Sequence, residues 1–272
     1  MSTVAIIIPV YNLSWMTINL LDSIKSSSKI KNLLIIIIDN GSSNKETKKV
    51  NGFLEENSFS YKLYKTEKPL GFVKAINKGI DIILDLGIDY FFILNNDTIV
   101  TSYWDIKLLK TLKKKSVGIV GPMSSPEYWP SLQKAQKMIN SKIEYFQIKD
   151  SLESFVSQLK EESNKSEKNT DFLEFFCVGI KTSLIKKIGK LDEAYNIGLF
   201  DDNDYCYRTI KAGYKIILRQ DAYVHHYHRS TFTKNKFDYP KLLEENRQIF
   251  VKKHGFDAWI NRKEKNHNLN II

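Results

Sequence analysis

Two runs of aliphatic residues, Val4-Ala5-Ile6-Ile7-Ile8 and Leu33 to Ile38, carry no polar residue on either face. A strand is apolar on both faces only where both are covered, so these runs predict inner strands of a sheet lying between helix layers. Between them Trp15, Ile18, Leu21 and Ile24 recur at helical spacing, and Ser14 is placed to cap that helix. The pattern repeats. The segment Tyr61 to Tyr64 reads as a third strand, and Pro69-Leu70-Gly71-Phe72 leads into a helix with Val73, Ile76, Ile80 and Ile83 on one face. That helix feeds the strand Tyr90 to Leu94. Such alternation predicts an α/β fold with a mostly parallel central sheet between helices. Further on, Tyr214 to Leu218 reads as a strand. Asp238-Tyr239-Pro240 starts a helix expected to bury Leu242, Leu243, Ile249 and Phe250 and to stop at Gly255.

A chain of 272 residues with 42% hydrophobic content can bury a full core. No run approaches the roughly 20 apolar residues of a membrane span. Met1 to Val10 lacks the basic-then-apolar layout of a secretory signal, so the expected location is cytoplasmic. Cys177 and Cys206 each lie in an apolar or aromatic stretch without a C-x-x-C pair, which argues against a disulfide framework and against structural zinc. The net charge of +10 favours an anionic partner, whether a nucleotide-sugar, an acidic membrane face or a nucleic acid. Charge alone does not choose among these.

Strand ends narrow the choice. In open parallel sheets, ligands sit outside the carboxyl ends of the strands, where this chain places Pro9-Val10-Tyr11-Asn12, Asp39-Asn40 and Asn95-Asn96-Asp97. One polar strand end is an ordinary turn, but three at one edge read as a pocket. Neither G-x-G-x-x-G nor G-x-x-x-x-G-K-[ST] is present, so dinucleotide and P-loop sites are poorly supported. The strand end at Asp97 offers another way to hold phosphates. A Mg2+- or Mn2+-like ion typically uses one or two protein carboxylates and takes its remaining ligands from phosphates and water.

The series Ile7-Ile8-Pro9-Val10-Tyr11-Asn12, Asp39-Asn40-Gly41-Ser42, Gly71-Phe72-x-x-Ala75-x-Asn77-x-Gly79, Leu94-Asn95-Asn96-Asp97-Thr98 and Asp201-Asp202-x-Asp204-x-Cys206-x-Arg208 resembles the family 2 glycosyltransferases with the GT-A fold. The likeness spans residues 4 to about 232 and is nearest in style to bacterial rhamnosyltransferase-like members that build surface polysaccharides. These also show something like Gly179, Ile185, Gly189 and Leu191-Asp192-Glu193. The resemblance implies a donor nucleoside-diphosphate-sugar, UDP- or dTDP-linked, and a glycan or lipid-linked acceptor. Asp39 would contact the donor's base or ribose. Pro9, Val10, Tyr11, Asn12, Asn40, Asn95 and Asn96 would line the nucleotide pocket, and Gly71, Lys74 and Asn77 would close over it. Asp97 matches the last carboxylate of the family's metal motif, whereas Asn95 stands where many members have Asp.

Asp202 matches the family's catalytic base, and the chemistry explains the residue type. An acceptor hydroxyl must lose its proton opposite the leaving diphosphate, and one positioned carboxylate accepts it, giving inversion. Asp201 and Asp204 are expected beside the acceptor or diphosphate and should raise the base's pKa. Asp at a helix start is the plainer reading of this cluster, and both readings can hold together. Three histidines in four residues, 225 to 228, cannot all ligate one ion from a strand, because adjacent side chains face opposite ways. The resemblance implies one of them near the cation, His226 or alternatively His225, with Arg229 at the diphosphate.

No linker or repeat divides the chain. Residues 1–236 are expected to form one domain with an insertion at about 126–170, and 237–272 an accessory helix and basic tail. The insertion reads as a helix with Leu152, Phe155, Val156 and Leu159 on its core-facing stripe, followed by a mobile polar run, Glu161 to Asn169. Arg262, Lys263 and Lys265 suggest peripheral contact with anionic lipid, with a solvated tail as the simpler account. Two rivals are a sugar-phosphate nucleotidylyltransferase, whose Gly-rich, Arg-bearing first loop is missing, and a nucleic-acid binder, which Asp201 to Asp204 would repel. No nucleic acid is expected as a partner.

Overall fold

The computed structural model describes residues 3–124, 152–153, 157, 166–228 and 238–260. The first half alternates as expected: β1 (Val4–Val10), α1 (Ser14–Ser27), β2 (Leu33–Asp39), α2 (Asn44–Glu56), β3 (Tyr61–Lys65), α3 (Phe72–Asp85) and β4 (Tyr90–Leu94). Four short elements follow: β5 (Thr98–Val100), α4 (Trp104–Leu112), β6 (Val117–Met123) and β7 (Glu167–Thr170). Then come β8 (Cys177–Lys181), α5 (Thr182–Ile188), a 3-10 turn at Glu193–Tyr195, α6 (Asp201–Lys211), β9 (Lys215–His226) and α7 (Tyr239–His254).

Among the described residues the strands form one sheet in the order β3-β2-β1-β4-β8-β6-β9-β5, with β7 added on β9. The pairs β3-β2, β2-β1, β1-β4 and β6-β9 are parallel, whereas β8 is antiparallel to both β4 and β6, and β5 and β7 are antiparallel to β9. The fold is thus α/β with a mostly parallel central sheet. Strand alternation divides the core. Ala5, Ile7, Ile36, Ile38, Phe91 and Ile93 face α3, α5, α6 and α7. Ile6, Ile8, Ile35, Ile37, Phe92 and Leu94 face α1, α2 and α4. Gly79 lets α3 lie close on the sheet, because a Cβ there would sit 2.5 Å from the Ile7 side chain.

Four local expectations are corrected. Ser14 does not cap α1. It is the first helical residue after Leu13, which adopts the left-handed conformation, and the Ser14 backbone amide is taken instead by the Glu46 carboxylate at 2.8 Å. Hydrogen bonding from Ser14, its side chain first and its backbone amide second, draws the Glu46 pKa down to about 2. Helix α1 buries Leu21 and Ile24 as expected, but its phase is turned so that Leu20 is buried with them, Ile18 is half-buried and Trp15 is 52% exposed. The strand beginning near Tyr214 runs on to His226, so His225 and His226 lie inside it and only His228 lies after it. The end of the polar run expected as a mobile loop forms β7 instead. An edge strand tolerates this composition, because Glu167 accepts from the Thr111 hydroxyl and the Lys114 ammonium and lies 3.3 Å from Arg219.

In the insertion, Leu152 is buried, and Glu153 accepts the Ser102 amide at 2.8 Å. Phe155, Val156 and Leu159 lie outside the described residues. Helix α7 starts and stops where the sequence indicates, at Asp238 and at left-handed Gly255. Its buried residues are Asn246 and Phe250, while Leu242, Leu243 and Ile249 are half-buried. No helix among the described residues is long and apolar enough to cross a membrane.

Candidate active site

The carboxyl ends of β1 and β2 are tied together by their own polar residues. Asp39 pairs in register with Val10 and is 2% exposed; its carboxylate accepts the Ser42 amide and the Thr47 hydroxyl of α2. Asn12, at φ 53°, donates its backbone amide to Ser42 Oγ (2.7 Å) and accepts the Ser43 amide at its side-chain oxygen (3.1 Å). The Asn40 side-chain oxygen accepts the Leu70 amide at 2.6 Å, fastening β2 to the entry of α3. Pro9, Tyr11, Asn12 and Gly71 stay half-buried along this edge, and Lys74 is exposed on the first turn of α3. Asp39, Asn40 and Val10 build the floor.

Residues 95–97 turn the chain from β4 into β5. The Asn95 amide donates to the Phe176 carbonyl (2.8 Å), Thr98 Oγ1 donates to the Asn95 carbonyl (2.7 Å), and Asn96 Nδ2 donates to Thr17 Oγ1 (3.2 Å). Asn95 Oδ1 is buried and has no hydrogen-bond partner among the described residues. Because β5 pairs with the end of β9, Thr98 lies opposite His226. This brings His226 Nε2 within 3.2 Å of Asp97 Oδ1. The Phe176 ring stacks on His226 at 4.9 Å and 14°. Adjacent His225 faces the other side of the strand, edge-on to Tyr227 at 4.9 Å, and burial pushes its pKa down to about 4. Among the described residues no cluster of three or more His, Cys, Asp and Glu stands ready to hold a metal ion. A carboxylate and an imidazole side by side still suit a Mn2+-like ion that completes its shell from phosphate and water.

The third part is the start of α6. Asp202 is half-buried on its first turn, beside Asp201 (3% exposed) and Asp204 (0% exposed). Burial, then the charge of Asp202, push the Asp201 carboxyl well above the usual carboxylate range, and its Oδ2 has no hydrogen-bond partner among the described residues. Asp204 is corrected as an acceptor or diphosphate contact: Arg208 holds one of its oxygens at 2.7 Å, while Lys253 and His254 of α7 hold the other, each at 2.7 Å. Asn77 is likewise turned inward. It is 3% exposed and bonds the Leu191 amide, the Leu191 carbonyl and the Glu193 carboxylate, joining α3 to the segment before α6 rather than closing over a ligand. Arg229 lies outside the described residues.

Residues 196–200 carry the chain into α6 in an unusual conformation. Asn196, Leu199 and Phe200 have φ of 43°, 73° and 66°, beside Gly198 at 109°. A non-glycine residue in this region costs roughly 1–2 kcal/mol, so the turn persists only because its surroundings hold it. Gly71 touches it closely, since a Cβ there would lie 2.8 Å from the Asn196 carbonyl, and that carbonyl accepts the Val73 amide. A Cβ on Gly198 would lie 3.8 Å from Asp201 Oδ1. One chain of contacts therefore runs from Asn40 through Gly71 to the turn that leads into α6. A second runs from Asp97 through His226 and Phe176 to its neighbour Phe175, whose ring meets Tyr205 of α6 at 5.9 Å. Phe176 and Asn246 were not singled out from the sequence. Asn246 does leave a signal, as a polar residue at helical spacing between Leu242-Leu243 and Ile249-Phe250.

Likenesses to known proteins agree with this architecture. In solved structures the chain is similar to GalNAc-T7, determined with UDP, GalNAc and Mn2+, at a TM-score of 0.64 and 14% identity over 82% of this chain. The match takes in 43% of that protein's chain, so the sequence spans less than half its length. It is also similar to the mannosyltransferase PcManGT from Pyrobaculum calidifontis, in complex with GDP-Man and Mn2+, at a TM-score of 0.59 and 14% identity. That match covers 99% of this chain and 80% of the other. At such identity both likenesses concern the fold. No curated protein sequence matches the chain. The sequence model of glycosyl transferase family 2 matches residues 5–189, well over half the chain and ending before Asp202. The chain therefore belongs to glycosyl transferase family 2.

Proposed function

We propose that this protein transfers a sugar from a nucleoside-diphosphate-sugar to a hydroxyl of a glycan or lipid-linked acceptor, with inversion, assisted by Mg2+ or Mn2+. The observation that carries the reading is the Asp97–His226 pair at the carboxyl edge of the sheet, linked by packed side chains to the helix whose first turn carries Asp202. The β1 and β2 ends, with Pro9, Tyr11 and Asn12, form the nucleotide wall, above the floor that Asp39 stiffens. Asp97 and His226 would hold the cation, which neutralises charge building on the leaving diphosphate. Asp202 takes the proton of the acceptor hydroxyl as that oxygen bonds to the anomeric carbon. The bond from that carbon to the diphosphate breaks, and the nucleoside diphosphate leaves.

In this reading residues 1–236 form the transferase domain, with α7 as an accessory to it. A UDP- or dTDP-linked donor, a rhamnosyltransferase-like role in surface polysaccharide synthesis, and a cytoplasmic place touching the anionic inner face of the cell membrane complete the proposal. Family membership weighs against the nucleotidylyltransferase and nucleic-acid-binding alternatives. A thermal-shift panel of UDP-, dTDP- and GDP-sugars with and without Mn2+ tests it. One donor class should raise the melting temperature in a Mn2+-dependent way. No shift with any of them would refute it.

A further inference from the structure

The turn that delivers Asp202 is held from outside the region matched to the family. Asn246, in the middle of α7 and 3% exposed, donates its side-chain amide to the carbonyls of Gly198 (2.7 Å), Leu199 (3.0 Å) and Tyr195 (3.3 Å). These carbonyls belong to the left-handed run at 196–200 and to the residue before it. The grip extends along the helix: the Phe250 ring packs on Phe200 at 5.8 Å, and Lys253 and His254 bind Asp204 on the first turn of α6. Three carbonyls converging in a buried place need a donor, and a primary amide supplies two N–H groups without adding charge. An aliphatic residue would take this donor from the Gly198 and Leu199 carbonyls, while the Tyr195 carbonyl would keep the Gly198 amide, and aspartate would set an anion against them.

We infer that Asn246 is a positioning residue for the proposed base. By satisfying the turn's carbonyls it holds residues 196–200 in their strained conformation and so sets the direction in which α6 presents Asp202. The C-terminal helix is then part of the working transferase rather than an appendage. This inference rests on the reading of Asp202 as base, and a displacement of about 1 Å at a reacting group can cost on the order of a hundred-fold in rate.

The test compares Asn246→Leu and Asn246→Gln with Arg247→Leu, which breaks the pair between α7 and Asp257 beyond the helix end and removes no hydrogen bond to the turn's carbonyls. Nucleoside diphosphate release with Mn2+ is followed for UDP-glucose, UDP-N-acetylglucosamine, dTDP-rhamnose and GDP-mannose, with water as acceptor. Hydrogen exchange is followed over residues 195–203. Asn246→Leu should lower kcat at least about ten-fold while donor KM changes less than about two-fold, and should speed exchange at 195–203. Asn246→Gln should fall between it and wild type. Arg247→Leu should lose thermal stability yet keep kcat and the exchange of that segment. Equal kcat loss in Arg247→Leu, or wild-type exchange at 195–203 in the Asn246 variants, would overturn the inference. The exchange readout decides even if no donor of the panel turns over or a variant is poorly active. Asp202→Asn in the same assay keeps the two ideas apart: wild-type release there refutes the base, whatever Asn246 does.

Discussion

The two halves of the site are built in opposite ways. The nucleotide wall at the ends of β1 and β2 is assembled between neighbouring loops of the first half of the chain, Asp39 bonding Ser42 and Thr47, Asn12 bonding Ser42 and Ser43, and Asn40 bonding Leu70; only the 95–97 corner reaches farther, through Asn95 to Phe176 and Asp97 to His226. The half that carries Asp202 is assembled at long range. Its turn is fastened by Val73 of α3 and by Asn246 of α7, the segment before the turn by Asn77, and its helix by Lys253 and His254. The difference teaches where damage should spread. A lesion at the donor edge should weaken binding near its own position, whereas a lesion in α7 should reach the chemistry from well outside any substrate contact.

Replacing Asp204 presses hardest on that contrast. Asp204→Leu leaves Arg208, Lys253 and His254 without their buried partner and should cost about 3–5 kcal/mol. Denaturant unfolding would show it, and whatever remains folded should turn over more slowly. Next, His226→Ala should weaken Mn2+-dependent donor binding about 10- to 100-fold with little change in melting temperature. Titration calorimetry with and without Mn2+ separates the two. Gly79→Ala forces a methyl against Ile7 beneath the donor edge and should destabilise by about 1–3 kcal/mol. Turnover per folded molecule should stay near normal if the donor edge is as self-contained as its bonding suggests. The smallest effect concerns Glu46, which caps α1. Glu46→Gln should cost about 1 kcal/mol near neutral pH. Because the folded-state pKa is lowered from 4.5 to about 2, the wild-type advantage is complete above the upper value and should shrink as pH falls through the lower one. Unfolding at pH 7, 4 and 3 would trace it.

The same contrast explains what the sequence made legible. The α/β fold and donor edge could be read because buried β-branched runs and the polar residues that end them are neighbours in the chain. The strands β5 to β8 were not read. β6 contains Gly118, Gly121 and Pro122, β7 is polar, and both exist because long β9 offers them an edge. Asn77 and Asp204 lie inside segments that resemble ligand-binding motifs, yet their side chains turn inward to partners as many as 116 residues away in the chain. No local pattern announces such a partner. Trp15 misled for a related reason: a helix face is set by what it packs against, and Leu20, Leu21 and Ile24 outweighed it.

The central claim is that Asp202 removes the acceptor's proton while Asp97 and His226 serve the leaving diphosphate. Paired measurements of donor affinity and single-turnover transfer in Asp202→Asn test it most directly. The account predicts donor affinity within about two-fold of wild type and transfer slowed about 10²- to 10⁴-fold. Transfer at the wild-type rate in a folded Asp202→Asn protein would contradict it.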